Sequence, residues 1–100
     1  MKKLKVILHE KAINDLDEIW LYTVQGWSVT QADRYLTLIN NEIEFLAVNP
    51  QSGKNAEHIK QGYRLSKIKS HVIFYKISIN SIEIVRILHE NMDIPNRLLD

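Results

Sequence analysis

Few side chains in this sequence could do chemistry, and their types and spacing narrow what that chemistry is. The four histidines are His9, His58, His71 and His89, and no two of them share the helical i, i+4 spacing of a metal site. There is no cysteine, which removes a zinc–thiolate site, a thiol nucleophile and a disulfide scaffold. The carboxylate groups Asp15-Asp17-Glu18 and Glu42-Glu44 read as solvent-facing parts of helices. Three glycines form no phosphate-cradling loop, and no serine stands in a nucleophile elbow. No metal or cofactor is expected. One constellation remains: Arg64, Arg86 and His89, with Tyr63, Lys67, Lys69 and His71 nearby in the sequence. Arginines stabilise a developing phosphorane, and histidine, lysine or tyrosine moves protons, so these residues suit a metal-free ribonuclease. Strand alternation speaks against the full set, because Arg64 and Arg86 share even parity and His89 does not. The competing reading makes His89 a hydrogen-bonded residue closing the last strand. It pairs Arg64 and Arg86 with a partner or with the acidic first helix.

The elements that must position these residues follow from periodicity. Leu4 to Leu8 reads as a first strand. Ala12, Leu16, Ile19 or Trp20, Thr23 and Trp27 then recur at helical steps, predicting a helix over 12–26, with Gly26 as a left-handed cap. Ser28-Val29-Thr30-Gln31 is a capping-box pattern opening a second helix over 29–48. Its core stripe is Ala32, Leu36, Ile39, Ile43 and Leu46, widened by Tyr35, Leu38 and Phe45, and Asn49-Pro50 stops it. Two helices joined by so tight a turn form an antiparallel hairpin. Trp20 and Trp27, seven residues apart with no positive charge around them, read as core or hairpin packing rather than a base-stacking platform.

Residues 51–61 are polar and aperiodic, a loop with room for a helical turn. From Gly62 the period becomes two. Tyr63 to Lys69, His71 to Ile79 and Ile82 to Leu88 read as strands, with Asn80-Ser81 as a hairpin turn. Their connections are too short for crossovers, so they form an antiparallel meander. A short helix is expected around Pro95. The sum is one domain over residues 1–100, an α+β two-layer β-α-α-β-β-β fold. An antiparallel helical hairpin packs on one face of a mainly antiparallel sheet, and the other face is left for partners.

Charge and composition add a direction. Hydrophobic residues are 45% and charged residues 25%, the balance of an ordinary globular chain, and no apolar run approaches a membrane span. No export signal is visible, so the expected location is the cytoplasm. The net charge is only +1, yet Lys54, Lys60, Arg64, Lys67, Lys69 and Lys76 face a single acid, Glu57, between positions 54 and 76. Such a region suits an anionic partner surface.

In their order and spacing, several stretches resemble the ParE toxins of bacterial toxin–antitoxin modules, within the wider RelE/ParE superfamily. They are Ala12 with Asp15-Leu16, Trp27 with Gln31-Ala32 and Tyr35, Leu46-Ala47 with Asn49-Pro50 and Gly53-Lys54, and Gly62-Tyr63-Arg64. The most specific are Ser70-His71-Val72-Ile73-Phe74-Tyr75 and Arg86-Ile87-Leu88-His89 followed by Met92-Asp93. The resemblance implies a compact toxin neutralised by a small cognate antitoxin, which would supply any contact with DNA. It also implies a target, DNA gyrase in ParE-type members. RelE-type relatives instead cut messenger RNA on the ribosome, with Arg64, Arg86 and His89 as the catalytic residues such a nuclease would use here. The C-terminal tyrosine common in those nucleases is missing, which favours the gyrase-directed reading. Antitoxin or target contact is then expected at Arg64, Lys67, Lys69, His71 and Arg86.

Overall fold

The Ser28 hydroxyl accepts the Gln31 amide at 3.1 Å and so starts the second helix where its spacing predicts. The computed structural model describes residues 2–99. In chain order they form β1 (Lys5–Leu8), α1 (Glu10–Gly26), α2 (Val29–Val48), a 3-10 turn (Pro50–Ser52) and β2 (Lys54–Asn55). Then come β3 (Arg64–Ile68), β4 (His71–Ile77), β5 (Ser81–His89) and α3 (Ile94–Leu99). Five strands make one sheet in the order β1-β5-β4-β3-β2. β1 runs parallel to β5, and the other pairings are antiparallel. The α+β architecture and the helical hairpin are as expected.

The hairpin covers one face. Ala12, Ile19, Ile39, Ile43, Leu46 and Ala47 pack on Ile73, Tyr75, Ile82, Ile84 and Ile87. The opposite face, expected to be open, carries a second core. Tyr63, Ala56 and α3 residue Leu98 close over Val72, Phe74, Val85 and Leu88. The cause lies in β5, where apolar residues occur in doublets (Ile84-Val85, Ile87-Leu88), so both faces need cover. The register there slips: Phe74 opposes Arg86 while Tyr75 opposes Ile84, leaving Val85 as an extra residue. That bulge inverts the alternation beyond it.

Local details also depart from the sequence reading. Gly26 is the last residue of α1 and not a left-handed cap; the left-handed glycine is Gly62, at φ 81°. The β4–β5 turn closes around Ile79-Asn80, one residue early, with the Ser78 amide bonded to the Ser81 carbonyl. Trp20 joins the hairpin by donating to Asp33 at 3.0 Å, but Trp27 is 75% exposed. Leu38 and Phe45 are exposed as well, so only one side of the α2 stripe packs. Ile39 is fully buried under α2. Ile39→Ala should therefore cost about 2–5 kcal/mol in denaturant unfolding, and a loss near zero would refute this packing.

Candidate functional site

Asp15 was expected on a solvent face, and it is 7% exposed. It lies on the buried stripe of α1, three residues after Ala12 and four before Ile19, and its carboxylate meets Arg86 in a two-pronged ion pair. Arg86 Nε donates to Oδ2 at 2.8 Å and Nη2 to Oδ1 at 2.9 Å. The Ile87 amide donates to the same Oδ2 at 2.9 Å, and Arg86 Nη1 donates to the Arg97 carbonyl of α3 at 2.8 Å. The location explains the arrangement. β1 ends opposite Ile84, so from Val85 onward β5 has no strand on that edge, and α1 fills the gap. Arg86 opposes Phe74 on the α3 side and reaches round this edge to α1.

Arg64 is also engaged. It opposes Tyr75 on the helical face, and its Nη2 donates to the carbonyls of Gln51 (2.9 Å) and Gly53 (2.5 Å). The Tyr75 hydroxyl donates to the Pro50 carbonyl at 2.8 Å and accepts the Gly53 amide at 3.0 Å. A Cβ on Gly53 would overlap that hydroxyl, so the loop between α2 and β2 is pinned by Arg64 and Tyr75 together. Lys67 points to the α3 face and pairs with Glu90 at 2.8 Å, holding that carboxyl below its usual range. Lys69 stands exposed at the β3–β4 turn with φ 54°.

The structure thus separates Arg64 from Arg86 and brings His89 to His71 instead. The bulge puts His89 on the helical face, opposite His71, with ring centroids 5.2 Å apart. His71 Nδ1 lies 2.6 Å from the Tyr35 hydroxyl. That hydroxyl also takes a hydrogen bond from the Ser70 backbone, and burial raises its pKa. His89 Nδ1 accepts the Asn91 amide at 3.1 Å, so His89 does close the last strand. Burial, reinforced by neighbouring His89, pushes His71 down to about 4 and keeps it neutral.

Both histidines line a cleft of about 500 Å³ between α1 and the end of β5, with Asp15, Glu18, Ile19, Tyr22, Ile87 and Met92. It meets a hollow of about 310 Å³ that reaches Trp27, Gln31 and Tyr35. Tyr22 and Trp27 are 76% and 75% exposed. The competing reading, Arg86 paired with the acidic first helix, is what the structure shows, with Asp15 as the acid; sequence reasoning missed that Asp15 is buried and missed the aromatic lip. The signals were Asp15 falling in step with Ala12 and Ile19, and the Ile84-Val85 doublet that marks the bulge. Among the described residues, no three His, Asp or Glu side chains gather as metal ligands, and no helix is long and apolar enough to cross a membrane.

A helical hairpin on a meander extended by a parallel first strand, with Arg64 and Arg86 held by the scaffold and an apolar cleft beside the last strand, defines the α+β framework of this chain. The chain belongs to the ParE toxin family: the family model described as "ParE toxin of type II toxin-antitoxin system, parDE" matches residues 6–94. It is 40% identical over 86 residues to Toxin ParE1 of Caulobacter vibrioides, covering 86% of this chain and 88% of that one. Toxin ParE1 of Mycobacterium tuberculosis H37Rv is 36% identical over 95 residues, 94% of this chain and 97% of its own. A solved structure titled "Chromosomal ParDE TA system from P. aeruginosa" shares the fold. Its TM-score is 0.77 at 21% identity, over 87% of this chain and 96% of that one.

Half-buried, neutral His71 makes the fold acid-sensitive. His71 ordinarily titrates near 6.5 and falls to about 4 in the folded protein. The unfolded chain therefore binds more protons between those values, and stability falls as pH drops from about 6.5 towards 4. Replacing His71 by Asn should flatten the unfolding free energy across that window. An unchanged slope would show that His71 is not the group responsible.

Proposed function

We propose that this protein is the toxin of a type II toxin–antitoxin module that arrests growth by acting on DNA gyrase through its surface. A small cognate antitoxin masks it, and DNA is met only through that antitoxin. Gyrase acts on the chromosome, so the site of action is the cytoplasm. The single observation that supports a surface-acting poison is the engagement of both arginines. The Arg86 guanidinium holds Asp15 and α3, and Arg64 holds the loop carbonyls of Gln51 and Gly53. A phosphodiester entering the histidine cleft would meet Glu18 and no lysine or arginine on its walls, and phosphate binding needs the opposite charge. Lys69, and Lys67 beside its partner Glu90, are exposed basic residues placed to meet an acidic stretch of antitoxin or target.

The second reading, a ribosome-dependent endoribonuclease, draws support from the adjacent His71 and His89, a geometry that suits acid and base. One comparison separates the two. A gyrase poison blocks supercoiling by purified gyrase, leaves ribosome-bound message intact, and stays folded and toxic as His89→Ala. Removing a proton-transfer residue from a nuclease typically costs about 100- to 10,000-fold in rate. Message cleavage by the wild type, abolished in a folded His89→Ala variant, would establish the ribonuclease.

A further inference from the structure

Tyr63 is 5% exposed, yet no described residue gives its hydroxyl a hydrogen bond. A buried phenol normally finds a partner. Among the described residues only Arg64 Nε is a side-chain polar atom both sealed from solvent and unpartnered, so the Tyr63 hydroxyl reaches an opening. The opening is a hollow of about 580 Å³ on the α3 side of the sheet, where α1 begins. Val85 and Leu98, which share the second core with the Tyr63 ring, line it too.

The charge around this ring has one sign. Lys60 Nζ lies 5.5 Å from the ring centroid and Lys76 Nζ 5.8 Å. Neither ammonium has a carboxylate partner among the described residues, and Lys60 makes only a long bond, 3.5 Å, to the Leu98 carbonyl. Glu83, across from Lys76 in the ladder, is already engaged by His9 and by the Ser78 hydroxyl. At the rim, exposed Lys11 and Glu10 offset one another. α1 starts there without a side-chain cap from His9, so the positive end of its dipole adds to the same field.

We propose that this hollow binds the phosphate of a small phosphomonoester. The Tyr63 hydroxyl donates to one phosphate oxygen, and the ammonium groups of Lys60 and Lys76 swing from the ring to the others. Two unpaired ammonium groups match a dianion better than a single carboxylate, and lysine holds phosphate as a point charge, without the planar fit that arginine requires. The hollow is larger than a phosphate alone needs and has the size of a small-ligand site, so Val85 and Leu98 offer an apolar wall to the rest of the molecule. The site is separate from the histidine cleft, whose walls carry Glu18 and no lysine or arginine.

The test titrates the full-length isotope-labelled protein with inorganic phosphate, phenyl phosphate and a tetraglutamate peptide, at constant ionic strength and above the second phosphate pKa of about 6. Both phosphates should shift the resonances of Tyr63, Lys60 and Leu98 saturably, and phenyl phosphate should bind the tighter of the two. Tyr63→Phe keeps the ring in the core and removes only the hydroxyl, and should weaken phenyl phosphate about tenfold. Lys60→Gln, at an exposed position, should weaken it similarly, and Arg34→Gln on the outer side of α2 should leave it unchanged. Unchanged affinity in Tyr63→Phe and Lys60→Gln, or no saturation at tens of millimolar phosphate, would overturn the proposal. Equal weakening by Arg34→Gln would reduce the effect to overall charge and overturn it as well. Tighter binding of tetraglutamate than of phenyl phosphate would replace it with an acidic protein segment.

Discussion

The ion pair between Asp15 and Arg86 joins more of this molecule than any other contact. Asp15 comes from α1, Arg86 from the bulge in β5, and the third arm of the guanidinium ends on the Arg97 carbonyl of α3. One carboxylate also satisfies the Ile87 amide where β5 has lost its neighbouring strand. Buried charges are expensive to desolvate, and these are stable because both partners are present and all the geometry is bidentate. Removing either one would leave the other uncompensated at a place where the helical layer, the sheet edge and the α3 layer all meet.

From that clamp the remaining arrangement follows. The bulge at Val85 lets one strand feed two cores, with Ile84 and Ile87 under the helices and Val85 and Leu88 under α3. It also turns His89 onto the face of His71, which produces the edge-to-face pair and the cleft beside it. Arg64 and Tyr75 do for the far edge what Arg86 does for the near one, fixing the loop that leads into β2. In both places a cation is held by backbone or carboxylate oxygens of the protein itself. The cleft is consequently apolar, with Glu18 and no lysine or arginine on its walls.

Much of this was legible in the sequence. The helices were readable because the apolar steps of Ala32, Leu36, Ile39 and Ile43 are regular and Ser28 caps them. The meander was readable because its connections are short. The family resemblance rested on the order of stretches such as Ser70 to Tyr75 and Arg86 to His89, and the family match bears it out. What failed were inferences that assume strict alternation or that acids face water. A bulge shifts parity by one residue, so Arg64 and Arg86 fell on opposite faces despite their numbering. Asp15 looked like one of three solvent acids because its partner lies 71 residues away, beyond the reach of local pattern. The second core was hidden for a similar reason, since Leu98 gains its place only once α3 folds back over Phe74.

The central claim is that Arg86 serves the fold and not a reaction, and a double-mutant cycle tests it most directly. Arg86→Gln alone strands a buried carboxylate and should cost about 3–5 kcal/mol of stability, with toxicity lost in proportion. Adding Asp15→Asn removes the stranded charge, keeps an acceptor for the Ile87 amide and offers a neutral amide partner. The double variant should regain most of the stability and, with it, toxicity in growing cells. A double variant that melts like the wild type but no longer arrests growth would contradict this account and make Arg86 a functional residue in its own right.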